Sequence, residues 1–326
     1  MTKATKKILL RYVLAPILMV FFLWLIYRQL TAKGDLGQQW QALRSYWHSA
    51  GPSWFTLVIL LAPVNWFWEA VKWQRVVRYL HPVTLWVSFK AVVTGIAFGM
   101  VTPGKLGDFA GRILYVPQRK RVAAAIGTLM TNLIQVAASS TAGMAGVIYF
   151  LWHHHSGRWL SDFLKICGLV VILLGILWGT RRRWTGWLLQ FRPFRKMARY
   201  FRVLKRYDTR DIVFIYGFSL VKYLTYNMQF LLLANLLGAQ VPWVAGIFAT
   251  MMMYWLLMAI PSFMLADISV RGFVAGVVFL ETGLALNGVS LLAASYVTWL
   301  LNLVLPAVIG SVLMVGIRQK SKSISQ

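Results

Sequence analysis

The stretch TPGKLGDFAGR, residues 102–112, gathers Lys105, Asp108 and Arg112 with Pro103, Gly104, Gly107 and Gly111 inside strongly apolar sequence. A second stretch, IPSFMLADISVRG, residues 260–272, repeats the order with Pro261, Asp267 and Arg271. In both, the acid precedes the arginine by four, so the two side chains can pair across one helical turn. Proline ends an incoming helix and glycine permits a tight turn, so each stretch reads as a break between two half-helices. A half-helix starting at Asp108 would offer free N–H groups and a positive dipole end to an anion. Lys105 has no carboxylate of its own nearby, and a phosphate would satisfy it. Two readings stay open: the pairs bind a phosphate-bearing group, or they only neutralise each other and lock the breaks.

Glu69, in VNWFWEAVKW, either joins the same polar region or pairs with Lys72 or Lys222. A buried carboxylate such as Glu69 or Asp108 could also act as a general base, but no activated nucleophile accompanies it. The histidines at 153–155 diverge by about 100° each on a helix and rarely converge on one ion. No zinc-protease, hydrolase-elbow or phosphate-loop motif is present, so neither a cofactor nor a metal is expected.

The elements that must position these residues are membrane helices. Of the 326 residues 59% are hydrophobic and 13% charged, with mean hydropathy +0.64. The apolar runs reach the roughly 20 residues that cross a bilayer. The formal charge of +26 lies between those runs, where it reports the cytoplasmic side and anionic headgroups rather than nucleic acid. Cys167 is the one cysteine, so no internal disulfide forms. The basic N-terminus precedes an apolar run without a clear cleavage site and reads as a retained first span.

Full spans are expected at about 8–28, 53–71, 122–151, 160–179, 211–236 and 289–317. The broken regions 84–117 and 243–284 read as re-entrant helical hairpins, the second alternatively as two short tilted spans. With Lys3, Lys6 and Lys7 inside, every strongly basic loop falls on one side, including Lys72, Arg75 and Arg78 after the second span. Both termini are then cytoplasmic. The order span, span, hairpin, span occurs twice, giving an all-α polytopic membrane domain, 1–326, of two inverted-topology repeats, 1–157 and 158–326. Glu69 and Asn227 each lie 34 residues before their proline, a further sign of repetition. The basic linker 180–210 spaces Arg192, Arg195, Arg199, Arg202 and Arg206 as an interfacial amphipathic helix. Leu36, Trp40, Leu43 and Trp47 have the same spacing and suggest a shorter counterpart. Asn132 and Gln135 are expected to line the cavity or to bond between helices.

TPGKLGDFAGR, IPSFMLADISVRG, VNWFWEAVKW and the overall length resemble the flippase-like membrane family known from the transmembrane region of lysylphosphatidylglycerol synthase. The resemblance covers most of the chain. Pro103, Gly104, Gly107, Asp108 and Arg112 match its first motif, and Pro261, Val270 and Arg271 its second. It implies a bacterial or archaeal integral membrane protein; in the best-understood relatives this region moves an aminoacylated phospholipid between leaflets. The chain departs at the second tip, where Phe263, Met264 and Leu265 stand in place of glycine and Gly272 follows Arg271 in place of Glu. With no aminoacyl-transferase domain before Gln326, a separate enzyme is expected to make the lipid.

Together these features point to an inner-membrane flippase or scramblase for a phospho- or isoprenoid-linked lipid. The headgroup would be held by Lys105, Arg112, Arg271 and the half-helix N-termini, with Asp108 and Asp267 orienting the arginines. An intramembrane lipid-modifying enzyme and a non-transporting lipid-binding partner are the alternatives.

Overall fold

The computed structural model describes residues 24, 28, 36–49, 52–100, 102, 107–153, 207–260, 264–284 and 287–313. These are helices joined by short turns, with no strand among the described residues. The expected spans 8–28 and 160–179, most of the basic linker, and Pro103, Gly104, Lys105 and Pro261 lie outside them, apart from residues 24 and 28. So do Cys167 and the second and third of the three histidines.

Helix α1, Leu36–Ser49, is the expected short counterpart, and Trp40 on it is exposed. Helix α2, Pro52–Val77, starts on a proline, which suits a first helical position because its missing N–H would have no partner there. Helix α3, Leu85–Met100, is followed by the seven-residue α4, Gly107–Ile113. After a short 3-10 turn at Gln118–Lys120 comes α5, Arg121–His153. The second half of the chain carries α6, Thr209–Leu236; α7, Trp243–Ala259; α8, Met264–Glu281; and α9, Gly288–Trp299, which runs through a π-helical turn at Leu300–Val304. Among the described residues three helical stretches are long and apolar enough to cross a membrane: Ser53–Val77, Gln118–His153 and Gly288–Leu313. Exposed Leu57, Ile59, Leu60, Leu133, Ile148, Val308 and Val312 give these stretches the apolar outer surface that hydrocarbon requires.

The expected span at 211–236 is helical, but α6 has a polar interior-facing set in Asp211, Ser219, Asn227 and Gln229, all buried. It lies antiparallel to α2: Gln229 Nε2 donates to the Val58 carbonyl, Lys222 reaches Glu69, Lys72 reaches Ser219 and Arg75 reaches Asp211. Its start is fixed by a capping box, in which Asp208 accepts from Thr209 N at 2.7 Å and Asp211 accepts from Asp208 N at 3.3 Å. At its end Gly238 turns the chain with φ +88, a left-handed conformation that favours glycine.

The first break folds back as expected. Helix α4 returns along α3 so closely that a Cβ on Gly111 would lie 2.6 Å from Gly95 Cα and 2.7 Å from the Thr94 carbonyl. Thr102 Oγ1 clamps the two arms, donating to the Phe98 carbonyl at 3.1 Å and accepting from Gly107 N at 2.6 Å. At about 1.5 Å per residue α4 is only about 10 Å long and cannot cross a bilayer. The arms of the second break are longer, with 17 residues in α7 and 18 in α8, each reaching about 25 Å. Glycines also bring α7 onto α5, where Gly143 meets Trp255, and the end of α9 onto α3, where Gly310 meets the Val93 carbonyl.

Because the atoms around Gly111 are backbone and cannot yield, Gly111→Val is expected to cost about 1–3 kcal/mol by overpacking. Gly217→Ala, where an added Cβ meets nothing within 4 Å, is expected to be neutral or better. The fraction of detergent-solubilised protein that stays monodisperse after heating distinguishes the two.

Candidate functional site

Glu69, on α2, is the centre of the charged interior. Its Oε1 accepts from Arg112 Nη1 at 2.9 Å, and its Oε2 accepts from Lys222 Nζ at 2.6 Å and from Lys72 Nζ at 2.9 Å. These three cations come from α4, α6 and α2, so one carboxylate ties the first hairpin to both long helices. Arg112 also grips Asp108 with two bonds, Nε to Oδ1 and Nη2 to Oδ2, each 2.9 Å. Such parallel pairs are among the stronger hydrogen bonds available to side chains.

The Lys72 ammonium is fully used. Besides Glu69 it donates to Gln135 Oε1 at 2.6 Å and to Ser219 Oγ at 3.2 Å, three acceptors for three N–H groups. Gln135, from α5, is held in turn because its Nε2 donates to the Ser219 carbonyl and to Ser139 Oγ, both at 3.2 Å. Of the two roles expected for Gln135, bonding between helices is the one seen. Lys72 itself departs from expectation: the sequence suggests the inside loop, whereas α2 continues to Val77 and leaves the Lys72 side chain 1% exposed. Arg75 and Arg78, further along, are the partly exposed pair and meet Asp211 at 2.7 and 3.6 Å.

Asp267 and Arg271, on α8, are paired as their spacing predicts, Nε to Oδ2 at 3.0 Å. Asp267 Oδ2 also accepts from Trp299 Nε1 at 3.1 Å, and Arg271 Nη1 donates to Tyr226 OH at 3.2 Å. Asn227, paired with Glu69 by sequence position, instead donates to Tyr223 O in its own helix; its neighbour Tyr226 is the residue that meets the arginine. Lys105, Pro103, Gly104 and Pro261 lie outside the described residues.

A third buried set was not expected. Asn65 Nδ2 donates to Asn302 Oδ1 at 2.8 Å and Asn302 Nδ2 donates to Gln229 Oε1 at 2.6 Å, joining α2, the π turn after α9, and α6. Nothing in the sequence marked these three amides out, since α6 also carries Asn227 and Asn235 and α2 also carries Gln74. No group of three metal-ligating side chains occurs among the described residues, and His153 stacks on Tyr149 at 4.2 Å.

Removing the negative charge of Glu69 leaves the buried Arg112 and Lys72 and the part-exposed Lys222 with Asp108 as the one carboxylate. Glu69→Gln is therefore expected to cost about 3–5 kcal/mol, the cost of breaking a buried pair. Adding Lys222→Gln to it should recover part of that loss, a non-additivity that a double-mutant cycle on thermal stability in detergent measures.

No curated protein matches the chain. The sequence profile described as the lysylphosphatidylglycerol synthase TM region matches residues 8–284, which include α1 to α8 and both charged clusters. On that match the chain belongs to the family of the lysylphosphatidylglycerol synthase transmembrane region.

Proposed function

We propose that this protein is a lipid flippase or scramblase of the bacterial inner membrane, with both termini cytoplasmic, and that a phosphate-bearing headgroup enters the charged interior while the acyl chains stay in lipid. Membership of a family tied to lipid handling supports this, and so does the membrane-spanning character of the helices. The observation that carries it is the convergence of Arg112, Lys72 and Lys222 on Glu69. Ionised groups at membrane depth cost ~2.5 to 3.5 kcal/mol each on the insertion scale, and structural pairing needs only one acid for each base. A surplus of cations is understandable where an anion passes.

Two inverted repeats fit the same picture. In each half an arginine is held by an aspartate four residues earlier and by a side chain on the preceding long helix, Glu69 lying 43 residues before Arg112 and Tyr226 lying 45 before Arg271. The packing of α7 on α5 and of α3 on the end of α9 pairs each half's broken hairpin with the other half's last span. Such halves rocking about a central site would give alternating access. A separate enzyme would supply the lipid.

The test is leaflet exchange in proteoliposomes carrying a fluorescent phospholipid that an impermeant reductant bleaches from outside. Bleaching well beyond the roughly half seen with protein-free vesicles is expected, and the Arg112→Gln, Arg271→Gln double variant, checked for correct folding, should approach the protein-free level. Full-rate exchange in that variant would contradict the site assignment. Wild-type vesicles that bleach like protein-free ones with every headgroup would contradict transport, and a lipid of changed mass would favour an enzyme.

A further inference from the structure

Among the described residues the cluster at Glu69 holds two carboxylates, Glu69 and Asp108, and three cations, Arg112, Lys72 and Lys222. At Asp267 the described residues give one carboxylate to one guanidinium. The surplus positive charge is not shared evenly. Arg112 makes two contacts to Asp108 and one to Glu69 and is buried, and the three N–H groups of Lys72 are all met. Lys222 is different: among the described residues its Nζ has one partner, Glu69 Oε2, and its side chain is 27% exposed against 5% for Arg112 and 1% for Lys72. Two of its ammonium N–H groups therefore have no partner among the described residues.

Resting on the reading of this protein as a lipid transporter, we infer that Lys222 is a specificity-determining residue and that the Glu69 cluster selects lipids of net negative headgroup charge over zwitterionic and cationic ones. A phosphodiester with no amine, such as a phosphatidylglycerol headgroup, adds one negative charge and brings the cluster to three against three. A zwitterionic headgroup leaves the surplus in place, and a headgroup carrying two ammonium groups to one phosphate enlarges it. Lys222 makes the discrimination because it is the most exposed of the three cations and has a single partner among the described residues. Arg112 and Lys72 hold Glu69 meanwhile, so the cluster keeps its shape as the lipid enters.

The test measures binding of short-chain, water-soluble lipids to the full-length protein in detergent by titration calorimetry, at low and high salt. Dihexanoyl-phosphatidylglycerol is expected to bind at least tenfold more tightly than dihexanoyl-phosphatidylcholine, with the gap narrowing as salt rises. Lys222→Gln is expected to abolish the gap and Lys222→Arg to keep it. Equal affinity of the wild type for both lipids overturns the inference, and so does a gap that survives Lys222→Gln. Should Lys222→Gln fail to fold, Lys222→Met, which likewise leaves two cations to two carboxylates, is expected to show no gap, while a persisting gap there also overturns it. Leaflet exchange in parallel separates the two claims: exchange without headgroup preference leaves transport standing and removes the selectivity, and selective binding without exchange does the reverse.

Discussion

A carboxylate taken out of water has to be met by positive charge, and Glu69 is met three times. The constraint reaches most of the described fold. Arg112 can arrive only if α4 folds back on α3, which needs hydrogen atoms in place of side chains at Gly95 and Gly111. Lys222 and Ser219 can arrive only if α6 lies antiparallel to α2, and Gln135 only if α5 packs across both. The geometry of the interior is thus a geometry of charge neutralisation, while the outer surface is left to apolar side chains that lipid accepts.

Burial of this kind is a poor source of stability in itself, because the desolvation of the ions offsets most of their attraction. Its value lies elsewhere. A network in which Arg112 and Lys72 are buried among several partners, and Lys222 is part-exposed with one, has a fixed part and an adjustable part. That division suits a site that must hold its form and still exchange a partner. At Asp267 the described contacts are to Arg271 and Trp299, with Tyr226 on the arginine, and no comparable adjustable group occurs among the described residues.

Much of this was legible in the sequence. The two Asp–Arg pairs followed from spacing, the first hairpin from Pro103 and its glycines, and the helical character of 53–71, 122–151, 211–236 and 289–313 from apolar length. What was not legible depended on contacts between distant segments. Glu69 had two rival partners in the sequence, and it takes both together with Arg112. Lys72 looked like an interfacial charge because apolar length alone ends the span at 71, whereas the helix runs six residues further and carries it inside. Tyr226 and Trp299 were hidden among many aromatic residues whose hydroxyl and indole groups gain meaning only beside a charge. The amide ladder of Asn65, Asn302 and Gln229 left no periodic signal, since three isolated amides do not reveal that they meet.

The central claim is that an anionic headgroup is held at the Glu69 cluster. Mass spectrometry of the lipids that co-purify with the protein in mild detergent tests it most directly, comparing wild type with Lys222→Gln and Lys222→Arg. The account predicts one class of anionic lipid enriched over its share of the host membrane in wild type and Lys222→Arg, and lost in folded Lys222→Gln. A lipid profile identical to bulk membrane in all three would contradict it.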